Sequence, residues 1–105
     1  MKRILVSLFV LLCSLNAQAF SYVYVTNMSQ LAWQMTPDGK VWLRNLDQFN
    51  GIFLSCCYNY WVDTTTPAGK AMWVSMLLKI GGGQPLYLGL TNPAQPGQIE
   101  QIGSW

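Results

Sequence analysis

The residues of this sequence best equipped to do chemistry on a partner are a run of aromatic and amide side chains, Tyr58-Asn59-Tyr60-Trp61, with Trp42 on a segment able to lie beside them. Flat aromatic faces stack on a sugar ring or a peptide plane, and an amide that both donates and accepts fixes orientation. Trp42, Tyr58, Asn59, Tyr60 and Trp61 are therefore the candidate ligand-binding residues. The competing reading is packing, with the rings alternating between the core and a subunit contact, as strand aromatics commonly do.

Catalysis has little to work with. The chain contains no histidine, which excludes Ser-His and Cys-His nucleophilic machinery and histidine metal sites. The acids outside the first segment form no pair that spacing alone would bring together; Asp38 reads as a turn former and Asp63 as a helix-start residue. Cys56 and Cys57 are adjacent and make no Cys-x-x-Cys motif. The glycines Gly81 to Gly83 follow a helical segment instead of opening one, so they do not form a phosphate loop. No catalytic residue, metal or cofactor is expected, and the chain reads as a binder.

The compartment is written in the first segment. Lys2 and Arg3 precede an apolar run from Ile4 to Leu12, and Ala17-Gln18-Ala19 supplies small residues where a signal peptidase reads. That is the order of a secretory signal, and the run is far short of the roughly 20 residues that cross a bilayer. Met1 to Ala19 is expected to be removed, leaving one small domain from Phe20 to Trp105 in the periplasm or outside the cell. Cys13 goes with the signal, since Leu12 stands where lipid processing needs a small residue. No membrane anchor is expected. Asn27-Met28-Ser29 matches a glycosylation acceptor, but the signal looks bacterial and the match carries no weight.

Processing also changes the charge. The formal +2 comes from Lys2 and Arg3; beyond them Lys40, Arg44, Lys70 and Lys79 balance Asp38, Asp47, Asp63 and Glu100. A neutral domain offers no counterion-release term to a nucleic acid and no polybasic patch to an anionic membrane. All 5 tryptophans and all 5 tyrosines lie after the signal, more than one small core readily encloses, so some rings should reach the surface. Of the cysteines only Cys56 and Cys57 remain. Free or buried thiols, a vicinal disulfide and a bridge between chains are all open, and the expectation is that the two are not bonded to each other.

The elements that must position the candidate residues follow from residue type. Phe20 to Thr26 is β-branched and aromatic, a strand that pauses at Asn27-Met28-Ser29 and resumes from Leu31 to Met35. Thr36-Pro37-Asp38-Gly39 is a hairpin turn leading into the strand Lys40 to Arg44. A third strand, with a break, is expected between Gly51 and Val62. Asp63 to Pro67 is a helix start, with threonine to cap and proline in the first turn, and the helix should run from about Pro67 to Ile80. Gln84 to Leu90 is a fourth strand and Ile99 to Trp105 a short fifth.

That order, β-β-β-α-β-β, predicts a mostly β domain with one helix, a five-stranded OB-like barrel whose helix falls between strands three and four. With its export signal and this element order, the chain resembles the OB-fold B subunits of pentameric bacterial toxins, small barrels that bind cell-surface glycans. The stretch from Cys57-Tyr58 through Asp63-Thr64-Thr65-Thr66-Pro67-Ala68-Gly69-Lys70-Ala71-Met72, followed by an apolar helix and a strand, is also similar to a pattern in small exported bacterial proteins of unknown function. Such proteins often carry a second cysteine after the fourth strand, where this chain has Thr91 and Asn92.

The barrel order and the aromatic-rich, neutral surface lead to the expectation of an exported, non-enzymatic binding module that recognises a glycan or another envelope component. The alternative is a periplasmic protein-interaction partner, a subunit or inhibitor of another exported protein. The helix suggests assembly. At 100° per residue Trp73, Val74, Leu77, Leu78 and Ile80 form one apolar arc, Met72 and Met76 extend it, and only Ala68, Ser75 and Lys79 are left as a polar stripe. With the arc turned inward, Met72 and Met76 are expected near the surface, in the contact of a homo-oligomer or hetero-complex.

Overall fold

The computed structural model describes residues 20–105; the export signal expected at Met1 to Ala19, and Cys13 within it, lie outside the described residues. Within that span the chain forms β1 (Ser21–Val25), β2 (Trp33–Met35), β3 (Lys40–Leu43), β4 (Tyr60–Asp63), helix α1 (Pro67–Gly82), β5 (Leu86–Leu90), β6 (Gly97–Gln98) and β7 (Gln101–Gly103). The architecture is mostly β with one helix, as the residue types predict. The strands make two sheets, β1-β5-β7 and β2-β3-β4-β6. Neither sheet closes on itself, so the barrel expected from the element order is not present as one continuous ladder.

The division begins at the pause in the first strand. Asn27 accepts a hydrogen bond from Ser29 N at 3.0 Å and caps a 3-10 turn over Met28–Gln30, which buries Met28. The chain leaves β1 in one sheet and enters β2 in the other. Buried Asn45 holds this corner, its Oδ1 accepting from Ala32 N at 2.8 Å and its Nδ2 donating to Gln30 O at 3.0 Å. A buried amide satisfied on both sides fixes the bend that two separate ladders require.

β2 and β3 are joined by the expected hairpin. Gly39 takes φ 87, which a side chain would resist, and its N–H closes the turn on Thr36 O at 3.0 Å. The antiparallel register sets Gln34 opposite Trp42, and β3 in turn pairs β4 with Trp42 opposite Trp61. β4 continues into a parallel pairing with β6, Trp61 opposite Gln98. In the other sheet β5 lies between β1 and β7, antiparallel to both.

Two expectations are corrected in the segment before β4. The third strand is much shorter than predicted: regular pairing begins only at Tyr60, and the preceding residues form a 3-10 turn over Leu46–Gln48 and an irregular loop anchored by buried Leu46 and Phe53. Side chains anchor this loop where a ladder was expected. Cys56 and Cys57, expected to be unbonded, are joined as a vicinal disulfide.

The helix starts and stops on the expected signals. Thr66 caps it by accepting from Gly69 N at 3.0 Å, Pro67 occupies the first turn, and Gly83 ends it in the left-handed region at φ 62. Its rotation about its axis differs from the one predicted. Gly69, Trp73 and Met76 are the residues turned fully inward, with Met72 and Ile80 packed at the edge of the core, while Val74, Leu77 and Leu78 are exposed. The inward set falls at the 3- and 4-residue spacing of one helix face.

A close contact selects that face. A Cβ on Gly69 would lie 1.8 Å from Asp63 O, so the first turn of α1 approaches the end of β4 closer than any side chain allows. With residue 69 against the strand, Trp73, Met76 and Ile80 follow onto the same side. Met76 has no exposed surface, which overturns its expected place in a subunit contact; Met72 is half-buried against the core. The core they join is built from the inward positions of both sheets, among them Val23, Val25 and Leu88 on one and Val41, Leu43 and Val62 on the other.

Candidate functional site

Strand alternation decides what the aromatic run can do. On β4 Tyr60 and Val62 point inward while Trp61 and Asp63 point outward; on β3 Val41 and Leu43 point inward while Lys40 and Trp42 point outward. The outward faces of the sheet therefore carry a transverse row in register, Gln34, Trp42, Trp61 and Gln98, one residue from each of four strands. Two indoles stand at its centre and a carboxamide at each end.

Tyr58, just before β4, completes the aromatic surface. Its ring meets Trp42 edge-on at a centroid distance of 5.7 Å, and Trp42 lies 5.4 Å from Trp61. The orientations are held by hydrogen bonds: Trp42 Nε1 donates to Thr36 Oγ1 at 3.1 Å, and Tyr58 OH donates to Gln34 Oε1 at 2.9 Å. Rings tied at their polar edges hold their positions without a ligand, so little ordering entropy remains to be lost on binding. Asn59 is half-buried, its Nδ2 donating to Ser55 O at 2.6 Å; among the described residues its Oδ1 takes no hydrogen bond.

Of the five predicted ligand-binding residues, Trp42, Tyr58 and Trp61 are brought together and Asn59 lies at their margin. Tyr60 is not part of the surface. It is 1 % exposed, packs edge-on against Phe53 at 5.2 Å, and uses its hydroxyl inside the protein. That hydroxyl accepts from Leu54 N at 2.6 Å and donates to Pro93 O, tying the loop before β4 to the loop after β5. Burial raises the phenol above its ordinary range, partly offset by the Leu54 N–H. Neighbours in a strand face opposite ways, so Tyr60 and Trp61 could not both serve one surface. Tyr60→Phe removes the partner of a part-buried donor and a part-buried acceptor, and is expected to lower unfolding free energy by about 1 kcal/mol in a urea titration.

Two cations belong to the site that residue type alone did not single out. Lys40, Trp42 and Arg44 alternate outward along the β3 segment. Lys40 Nζ lies 5.5 Å from the Trp42 ring centre and 5.0 Å from that of Trp61, and the Arg44 guanidinium lies 5.4 Å from the ring of Tyr58. The spacing of two between Lys40, Trp42 and Arg44 was the available signal, together with Gln34 across the hairpin. Asp38 and Asp63 lie toward the Lys40 end. Hydrogen bonds from Thr36 and Lys40 N hold Asp38 below the usual carboxylate range, and hydrogen bonds from the Thr65 hydroxyl and N–H do the same for Asp63.

A second aromatic surface lies on the outward face of β1-β5-β7. Tyr24 stands opposite Tyr87 with rings 4.6 Å apart, Trp105 stacks on Tyr87 at 4.2 Å and 8°, and Tyr22 meets Trp105 edge-on at 5.2 Å. These rings cover glycines: a Cβ on Gly89 would lie 2.7 Å from Tyr22 and one on Gly103 2.3 Å from Trp105. Tyr22 and Trp105 thus fill the gaps that these side-chain-free positions leave in the sheet, while Tyr24 and Trp105 keep exposed faces. An open depression of about 530 Å³, lined by Thr65, Pro67, Lys70, Ala71 and Val74, sits on the first turns of α1. It shares no residue with the Trp42–Trp61 face and gathers no convergent polar groups. Compared with protein-family models, with curated proteins and with solved structures, the chain matches none of them.

Proposed function

We propose that the domain is an exported, non-enzymatic binding module whose Trp42–Trp61 face receives a saccharide of a glycan or another envelope component. One observation carries the reading: two indoles and a tyrosine side by side on an outward sheet face, with amides at both ends of the row. The C–H faces of a sugar ring stack on such rings, and its hydroxyls bond to carboxamides at the edge.

The connectivity supports a finer reading of the fold. Counting β1 with β2 as one strand bent at Asn27, and β6 with β7 as one strand bent at Ile99, the pairings run first to second, second to third, third to fifth, fifth to fourth and fourth to first. That cycle is an OB-like barrel interrupted at two corners, and it keeps the likeness to toxin B subunits in play. In OB-folds the face of the second and third strands binds oligonucleotides and oligosaccharides. Here those strands are β3 and β4, which carry Trp42 and Trp61.

A glycan array, followed by tryptophan-fluorescence titration of the strongest hit, tests the reading. Trp42→Ala is expected to weaken binding about tenfold or more, equivalent to about 1.4 kcal/mol. Silence on every saccharide removes it. The second reading, a partner or subunit of another exported protein, is favoured by the exposed apolar row Val74, Leu77 and Leu78 on α1. One stoichiometric protein partner recovered from an envelope extract, with no saccharide bound, selects it. Assembly of identical copies through the same row shows as a sedimentation coefficient above that of the monomer.

A further inference from the structure

The Trp42–Trp61 face is electrically lopsided. Its outward β3 stripe runs Lys40, Trp42, Arg44, and both nearby carboxylates gather at the Lys40 end: Asp63 stands directly opposite Lys40 in the ladder, and Asp38 Oδ1 accepts from Lys40 N at 3.2 Å. Both acids are further engaged by threonines, Asp38 by the hydroxyl of Thr36 and Asp63 by that of Thr65. At the other end Arg44 is anchored through its main chain, its N–H donating to Ala32 O at 2.8 Å. Its guanidinium rests on Tyr58, and its buried Nε has no hydrogen-bond partner. Among the described residues no side-chain hydrogen bond links a carboxylate to it.

A guanidinium that is partly desolvated, and to which no carboxylate is hydrogen-bonded among the described residues, attracts an anion. The fork of Arg matches a carboxylate with two parallel N–H bonds, stronger than neutral hydrogen bonds. We infer that the ligand of this face is an acidic saccharide, bound with its ring on Trp42 and Trp61 and its carboxylate toward Arg44. This rests on the binding reading above and adds to it the charge and the direction of the ligand. Asp63 and Asp38 both lie within electrostatic reach of Lys40 and repel an anion from that end, which favours the Arg44 end for the carboxylate.

Methyl glucoside and methyl glucuronide differ only at C6, hydroxymethyl against carboxylate, and they isolate the charge. Tryptophan fluorescence of the full chain, titrated with each at low salt, is expected to give about tenfold tighter binding of the glucuronide, the equivalent of one well-made charged hydrogen bond. The ratio should shrink at 0.5 M salt, by less than for a fully exposed pair because the guanidinium is partly desolvated. Arg44→Gln should abolish the ratio, and Arg44→Lys, which keeps the charge without the fork, should keep part of it. Equal binding of the two sugars by the wild type, or a ratio that survives Arg44→Gln, overturns the inference and leaves the binding reading standing. Binding of neither sugar, in a chain that is also silent on the glycan array, overturns both.

Discussion

Gly69→Ala is expected to lower the unfolding free energy by about 3 kcal/mol, or to prevent folding, although alanine is the better helix former. Helix propensity alone favours the substitution by about 1 kcal/mol. Against that, the new Cβ would lie 1.8 Å from Asp63 O and 2.9 Å from Thr66 Oγ1. The first of these atoms is backbone and cannot swing aside, so relief must come from lifting the first turn of α1 off β4. The lift loosens the Thr66 cap and the seat of Trp73 together, and overpacking of this kind costs on the order of 1 to 3 kcal/mol before the lost cap is added. Gly81→Ala is the control. Nothing lies within 4 Å of its Cβ, so only the propensity gain of up to about 1 kcal/mol remains. Urea unfolding of both variants should move the midpoint in opposite directions; a neutral Gly69→Ala would mean that the helix does not sit this close to the strand.

Met76→Asp is expected to abolish cooperative thermal unfolding. Met76 has no exposed surface, and an aspartate there would carry a charge, or a protonated carboxyl, into a core with no partner for it. Even truncation to alanine should cost about 2 to 5 kcal/mol. Leu78→Asp, on the same helix at 74 % exposure, should change monomer stability by no more than about 0.5 kcal/mol. Circular dichroism melts of the pair separate the two rotations of α1. If Met76→Asp melts like the wild type while Leu78→Asp unfolds, the helix is turned as the hydrophobic arc predicted and the buried face described above is wrong.

The contrast between those two positions explains what could be read from residue types and what could not. The hairpin at Thr36 to Gly39, the Thr66 cap and the glycine stop at Gly83 are local devices, and each stands where its residues predict. The rotation of α1 is not local. Apolar residues occur nearly all round the helix, so hydrophobicity cannot choose a face, and the deciding feature is the absence of a side chain at Gly69. The run Tyr58 to Trp61 was legible as aromatic, but its division between surface and core needed the period of two applied residue by residue, which sends Tyr60 inward. Trp42 and Trp61 share a row only because β3 and β4 pair in that register. Tyr87 and Trp105 likewise meet through the folding of distant segments, and spacing in the chain does not foretell it.

The 5 tryptophans give the most direct test of where a ligand lies, since each carries one indole N–H with its own nuclear resonance signal. Trp42 and Trp61 belong to the proposed face, Trp105 stacks on Tyr87, and Trp33 and Trp73 contact each other beside the helix. Titration of the nitrogen-15-labelled chain with glucose, galactose, N-acetylglucosamine and glucuronic acid, each added separately, should move the Trp42 and Trp61 signals and leave the other three in place. Movement confined to Trp105, or no movement of any indole signal with all four sugars, would contradict a saccharide site on the Trp42–Trp61 face.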